Sequence, residues 1–147
     1  MKFQYAFQKI VDLKTNEKTQ AEWMLSSAIG RLQEEKKSLE ELLESRERTA
    51  KQLQEAAERR APVSKIREFQ MYAEYLEHRI ARKYSDVKQA DSNVQIKKQQ
   101  LSHKMLDEKV WLKARDKAKS SFQQNMLLRE QNELDEMATV RFAMRGR

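Results

Sequence analysis

Residues 59–64 read Arg-Arg-Ala-Pro-Val-Ser, the one strong break in a chain of 147 residues. Pro62 has no amide hydrogen and its ring collides with the preceding turn, so it cannot lie inside a helix. The residue before it is pushed towards extended geometry. Ser64 is a good N-cap for a following helix, although Arg67 stands where a capping box would carry Glu or Gln. The break predicts one helix over about 5–60, a turn over about 61–63 and a second helix over about 64–142, all within a single coiled-coil domain of residues 1–147.

Composition supports helices on both sides of that break. The chain has 2 Gly, 1 Pro and 36% charged residues, too little Gly and Pro for a fold that reverses direction often. Gln, Glu, Lys, Arg, Leu, Ala and Met, all good helix formers, dominate. Such a polar chain cannot fill a wide core, but it can fill a narrow seam between two helices.

Apolar spacing predicts that seam. In the first helix Leu25, Ile29, Leu32, Lys36, Leu39, Leu43, Arg46, Ala50, Leu53 and Ala57 alternate by four and three. A preceding set, Phe3, Phe7, Ile10, Lys14, Glu17 and Ala21, runs in another phase, and the two fours from Ala21 to Leu25 to Ile29 predict a stutter. Phe3, Tyr5 and Phe7 alternate as in extended chain. The second helix carries Ile66, Phe69, Ala73, Leu76, Ile80, Lys83, Val87, Ala90, Val94, Lys97 and Leu101. Its seam blurs over 101–112 and resumes at Trp111, Ala118 and Phe122. Two such stripes joined by a short turn predict an all-α fold, a long antiparallel two-helix coiled-coil hairpin.

The arms are unequal. Pairs across the seam sum to about 123, so Phe3 falls near residue 120 and the chain beyond about 122 has no partner on the first helix. That overhanging C-terminal stretch still carries Met126, Leu127, Leu128, Leu134, Met137, Val140, Phe142 and Met144. An unpaired apolar stripe wants a partner surface or a second copy.

No constellation for chemistry is visible. There is no Cys, which excludes structural disulfides and thiolate chemistry and fits a reducing cytosol. His78 and His103 lie about 37 Å apart along one helix and cannot share a metal. Gly30 and Gly146 alone cannot build a phosphate loop. Paired acids such as Glu34-Glu35 and Glu40-Glu41 have no pocket to raise a pKa. Catalytic residues, metal and cofactor are therefore expected to be absent, and the chain is expected not to be an enzyme.

The net charge is +7, unevenly placed: residues 97–119 hold eight Lys/Arg against three acids, a net +5. Such a surface suits acidic partners or is simply a solvated face. Nucleic acid is disfavoured, because aromatics do not interleave the basic residues and no basic region precedes a parallel zipper. The longest apolar runs are three residues, far short of the ~20 of a membrane span. The seam is too narrow for a membrane-surface helix. The start lacks a signal-peptide core, so a soluble cytoplasmic protein without direct membrane insertion is expected. Met71, Tyr72 and Tyr75, with Phe69, form an aromatic-rich patch just past the turn, the kind of group favoured at interface centres.

Three segments together resemble the flagellar export protein FliJ family. They are the opening Phe7-Gln8-Lys9-Ile10-Val11-Asp12-Leu13-Lys14 with Glu17, the block Glu68-Phe69-Gln70-Met71-Tyr72-Ala73-Glu74-Tyr75-Leu76-Glu77 with Ile80, and the ending Glu133-Leu134-Asp135-Glu136-Met137-Ala138 with Arg141. The turn departs from the family pattern in having Pro62 and no Gly. The resemblance implies a non-enzymatic stalk of the flagellar type III protein export ATPase, needed for flagellum biogenesis and motility. It would stimulate the hexameric ATPase FliI, link it to the export gate protein FlhA and escort export chaperones. The same resemblance implies an ATPase contact through Phe3, Phe7, Met126, Leu127, Leu128, Leu134, Met137 and Phe142, and a gate contact through Tyr72, Tyr75, Leu76, Arg79 and Lys83. It also implies a place at the inner face of the cell membrane, reached through the export apparatus. The equivalent stalk of a virulence type III secretion system would share fold and mechanism. A free-standing coiled-coil scaffold would differ in dimerising through 123–144, whereas a stalk hairpin is expected to be monomeric.

Overall fold

The computed structural model describes residues 2–146. Helix α1 spans Gln8–Glu58, 51 residues, and α2 spans Val63–Arg145, 83 residues. No strand occurs among the described residues. The two long helices pack together, an arrangement consistent with a helical hairpin coiled coil.

Backbone hydrogen bonds explain the break. At the end of α1 the amide of Ala61 donates to the Ala56 carbonyl at 3.0 Å, and the amide of Arg60 donates to Ala57 at 3.2 Å. This pair of bonds is the Schellman motif. The motif places Arg60 in the left-handed region, with φ of 55°, a conformation that disfavours any residue with a Cβ. The start of α2 differs from expectation. The Pro62 carbonyl accepts from Lys65 at 3.0 Å and from Ile66 at 3.2 Å, so α2 begins at Val63 and Ser64 lies within its first turn. Proline fits here because the entrance to a helix needs no amide donor from it. At the N-terminus, residues 2–5 carry no regular structure, and the Phe7 carbonyl accepts from Ile10 and Val11 as α1 begins.

The chain divides into two compact units, Gln20–Leu101 and Met1–Thr19 with Ser102–Arg147. In the first, Leu42, Leu76 and Ile80 form the buried cluster, with Leu39 and Leu43 packed against it. Ala21, Ala28, Ala56 and Val94 are also buried. Burying one leucine stabilises by about 1.5–3 kcal/mol, so a few such contacts account for much of what a narrow seam can contribute. In the second unit Val11 is buried, and so is Glu108.

Along α1 the buried and half-buried positions correct the expected seam. They run Val11, Lys14, Lys18, Ala21, Leu25, Ala28, Leu32, Glu35, Leu39, Leu42, then Thr49, Leu53 and Ala56, with exposed Arg46 filling the remaining step. The alternation of three and four is unbroken, so there is no stutter. Ile29, Lys36, Ala50 and Ala57 are exposed and Leu43 only half-buried; each sits one residue past the true position. Glu35 and Thr49 hold two of the true positions, and polar identity there is what pulled the expected phase aside. Along α2 the expected positions from Ile66 to Leu101 are all buried or half-buried. The blurred stretch resolves as Leu101, Lys104, Glu108, Trp111, Arg115, Ala118 and Phe122.

Candidate partner-binding surfaces

Two sets of residues, one in each unit, carry the sequence-derived expectations. In the unit of the chain ends, aromatic rings anchor the N-terminal residues. Phe3 meets Phe122 with ring centroids 5.6 Å apart, Phe7 meets Trp111 edge-on at 6.0 Å, and Tyr5 meets Phe7 at 5.7 Å. Phe3 is half-buried by this contact, whereas Phe7 keeps half its surface open. Met126 is half-buried. Beyond it every described residue of α2 is exposed. Leu127, Leu128, Leu134, Met137, Val140 and Met144 are all more than half exposed, and Phe142 is 81% exposed.

Alongside buried Val11, ion pairs hold the next turns of this unit. The Lys14 Nζ lies 2.9 Å from Asp107, Lys18 lies 3.1 Å from Glu108, and Lys104 lies 3.2 Å from Glu17. The hydrogen bond from Lys14 holds the Asp107 carboxyl below the usual carboxylate range, and the same bond raises the Lys14 pKa. Hydrogen bonds from the Thr15 hydroxyl and the Lys18 ammonium lower Glu108. In each case a partner that favours the charged form outweighs the cost of desolvation.

In the other unit Tyr72 and Tyr75 are each about half exposed, with ring centroids 6.1 Å apart. The Arg79 guanidinium sits over the Tyr75 ring at 5.7 Å, a cation–π distance. Met71 is exposed beside them. Two residues expected on this face do not belong to it. Leu76 is 1% exposed and packs on Leu42 and Ile80. Lys83 turns into the seam, where its Nζ lies 2.9 Å from Glu35 and holds that carboxyl below its usual range. Leu76 and Lys83 share the helical stripe that faces α1. The accessible group is therefore Tyr72, Tyr75 and Arg79, spaced by three and four on the neighbouring stripe.

No group of three or more His, Cys, Asp or Glu residues able to hold a metal occurs among the described residues. Among the described residues no helix is long and apolar enough to cross a membrane. The sequence reading missed one surface group. Met105, Leu106 and Val110 are exposed on α2 while Lys104 and Glu108 occupy the seam. The three–four spacing of Leu101, Lys104, Glu108 and Trp111 was the available signal, hidden by the charge of its middle members.

A family model described as Flagellar FliJ protein matches residues 2–147. No curated protein matches the chain, and no solved structure does. With the match running through essentially every residue described above, the chain belongs to the flagellar FliJ protein family.

Proposed function

We propose that this protein is the non-enzymatic stalk of the flagellar type III export ATPase. The family is a non-catalytic, stalk- and chaperone-like component of flagellar export. On this reading the helices run antiparallel. Contacts in which rising numbers along the first arm meet falling numbers along α2 support that direction within each unit: Phe3, ahead of α1, with Phe122 and Lys14 with Asp107 in one, Glu35 with Lys83 and Arg46 with Glu77 in the other. The helix beyond Phe122 is then an overhang without an intramolecular partner, on one continuous coiled-coil domain.

The observation that carries the proposal is the run of open apolar side chains from Leu127 to Met144, beside the ring cluster of Phe3, Phe7, Trp111 and Phe122. Exposed apolar surface on this scale marks an interaction site. Phe3, Phe7, Met126, Leu127, Leu128, Leu134, Met137 and Phe142 are its contact with the hexameric ATPase FliI. Tyr72, Tyr75 and Arg79 face the gate protein FlhA, and the same chain escorts export chaperones. The protein acts in the cytoplasm, as a monomer, at the inner face of the membrane through the export apparatus. A stalk needs no chemistry of its own. It stimulates hydrolysis by contacting ring subunits unequally, which couples their nucleotide steps, and by binding the hexamer more tightly than the monomer.

The test is the rate of ATP hydrolysis by purified export ATPase as this protein is titrated in. Saturable stimulation near one chain per hexamer is expected. Full-length protein carrying Leu127→Asp, Leu134→Asp and Met137→Asp should lose it while keeping its helical circular dichroism. Undiminished stimulation by that variant would remove the overhang from the mechanism. The same apolar run also fits a scaffold that pairs through 123–144. A stable homodimer with no effect on the ATPase would establish that reading instead.

A further inference from the structure

From Lys104 to Trp111 the usual distribution of residues is inverted. Lys104 and Glu108 stand in the seam, while Met105, Leu106 and Val110 stand outside it, Leu106 and Val110 being 63% and 64% exposed. Lys109, Lys113 and Lys117 follow Met105 at four-residue intervals, which sets all four along one oblique ridge of α2 that turns about 40° at each step. Leu106 and Val110, also four apart, run alongside. All three lysines are exposed, and none forms an ion pair among the described residues. Two of the three acids in this stretch are engaged elsewhere. Asp107 and Glu108 pair with Lys14 and Lys18 of α1. Asp116, three residues past Lys113, forms no ion pair among the described residues and stays on the outer face as its one acid. The inward turn of Asp107 and Glu108 is thus what leaves the outer ridge cationic.

We propose that this ridge lies against an anionic lipid surface, with Met105, Leu106 and Val110 between the headgroups and Lys109, Lys113 and Lys117 on the phosphates. Three unpaired cations along one ridge define the charge of the occupant, and the aliphatic side chains beside them offer no ring on which a nucleic-acid base could stack. A partner helix lying along the ridge would need apolar residues to recur every three or four positions. Here the apolar group ends at Val110, and the next turns present Lys113 and Lys117. A planar layer of anionic groups asks only for a short apolar wedge flanked by long cationic side chains, whose stems stay in apolar surroundings while the ammonium reaches the phosphates. The seam is too narrow to serve a membrane surface, and this is a different face of the same helix. The contact lies on the membrane without a span.

The experiment is flotation of the full chain with vesicles of phosphatidylcholine alone or containing 30 mol% phosphatidylglycerol. Binding is expected only to the anionic vesicles and should fall as salt rises. Each lysine near such a surface strengthens binding about fivefold, so Lys109→Gln, Lys113→Gln and Lys117→Gln together should weaken it on the order of 100-fold. Leu106→Ser with Val110→Ser should weaken it with charge unchanged. A charge-matched control, Lys36→Gln, Lys37→Gln and Lys51→Gln, should bind as the parent does. Circular dichroism checks that each variant folds. Failure to float with anionic vesicles, or equal loss in the control triple variant, would overturn the proposal. So would binding of an acidic helical peptide that needs Lys109, Lys113 and Lys117 while vesicles are ignored.

Discussion

Replacing Leu76 with alanine separates two roles that this residue could have had. In the structure it is 1% exposed, in contact with Leu42 and Ile80 and flanked by Leu39 and Leu43. The change deletes three carbon atoms, a transfer loss of about 2.4 kcal/mol at ~0.8 kcal/mol per methylene. A cavity cost is added where the surroundings cannot close, giving about 2–5 kcal/mol for leucine to alanine in cores generally. A seam between two helices has solvent on both flanks and can partly collapse, so the lower half of that range, about 2–3 kcal/mol, is expected. For a chain of this length that is a fall in thermal midpoint of about 5–10 °C, read by circular dichroism at 222 nm. Trp23→Ala, at a position 75% exposed, should stay within about 0.5 kcal/mol of the parent. Were Leu76 a surface contact for the export gate, its loss would leave the midpoint in place and weaken partner binding alone. A shift no larger than that of Trp23→Ala would refute the seam described here.

Further expectations follow from the turn and the polar positions. Arg60→Gly should raise stability by about 1 kcal/mol, because φ of 55° is free to glycine and costly to arginine; a lower thermal midpoint would refute the strain. The Glu35–Lys83 pair, with side chains 13% and 22% exposed, should show a larger coupling in a double-mutant cycle than the Arg46–Glu77 pair at 46% and 59%, since screening and side-chain entropy leave open pairs nearly worthless. Stability should be flat at neutral pH and fall on both sides. Glu35, Asp107 and Glu108 have carboxyls held below their usual 4.5, 3.8 and 4.5. Their contribution is present above those values and is lost as pH falls through the lower folded ones. Lys14 is raised above 10.5, so its contribution is complete below that value and disappears as pH rises through the folded one. Thermal midpoints across pH check this, and Glu108→Gln should flatten the acid limb.

How far the sequence could be read depended on whether its seam positions were apolar. Along α2 from Ile66 to Leu101 nearly every seam residue is a hydrophobe, and the expected register is the observed one. Along α1 the leucines at 25, 32, 39 and 53 were legible, but the alternate positions belong to Ala28, Glu35, Thr49 and Ala56 as well as Leu42. Small or polar residues give weak hydrophobic periodicity, so neighbouring Ile29 and Leu43 drew the phase aside and produced a stutter that does not exist. The turn was legible from Pro62, but the residue holding left-handed geometry was not, because arginine carries no sign of it. The exposed set from Leu127 to Phe142 could be found from arm length alone. Leu76 and Lys83 already stood on the expected seam of α2, and only the family resemblance put them in the surface patch.

The weak periodicity of α1 and the open surfaces share a physical cause. A two-helix seam has few positions, and this chain gives several of them to charge: Lys14, Lys18, Glu35, Lys83, Lys104 and Glu108. Paired ions fix which residues face one another but contribute less than apolar burial would, since desolvation offsets much of their attraction. Stability is therefore concentrated in the cluster of Leu42, Leu76 and Ile80, while the unit of the chain ends is held by rings, ion pairs and buried Val11. Residues released from the seam by this choice, Met105, Leu106 and Val110, become surface. An interaction protein gains from that distribution, because the hydrophobes that do not stabilise the pair of helices are the ones open to a partner.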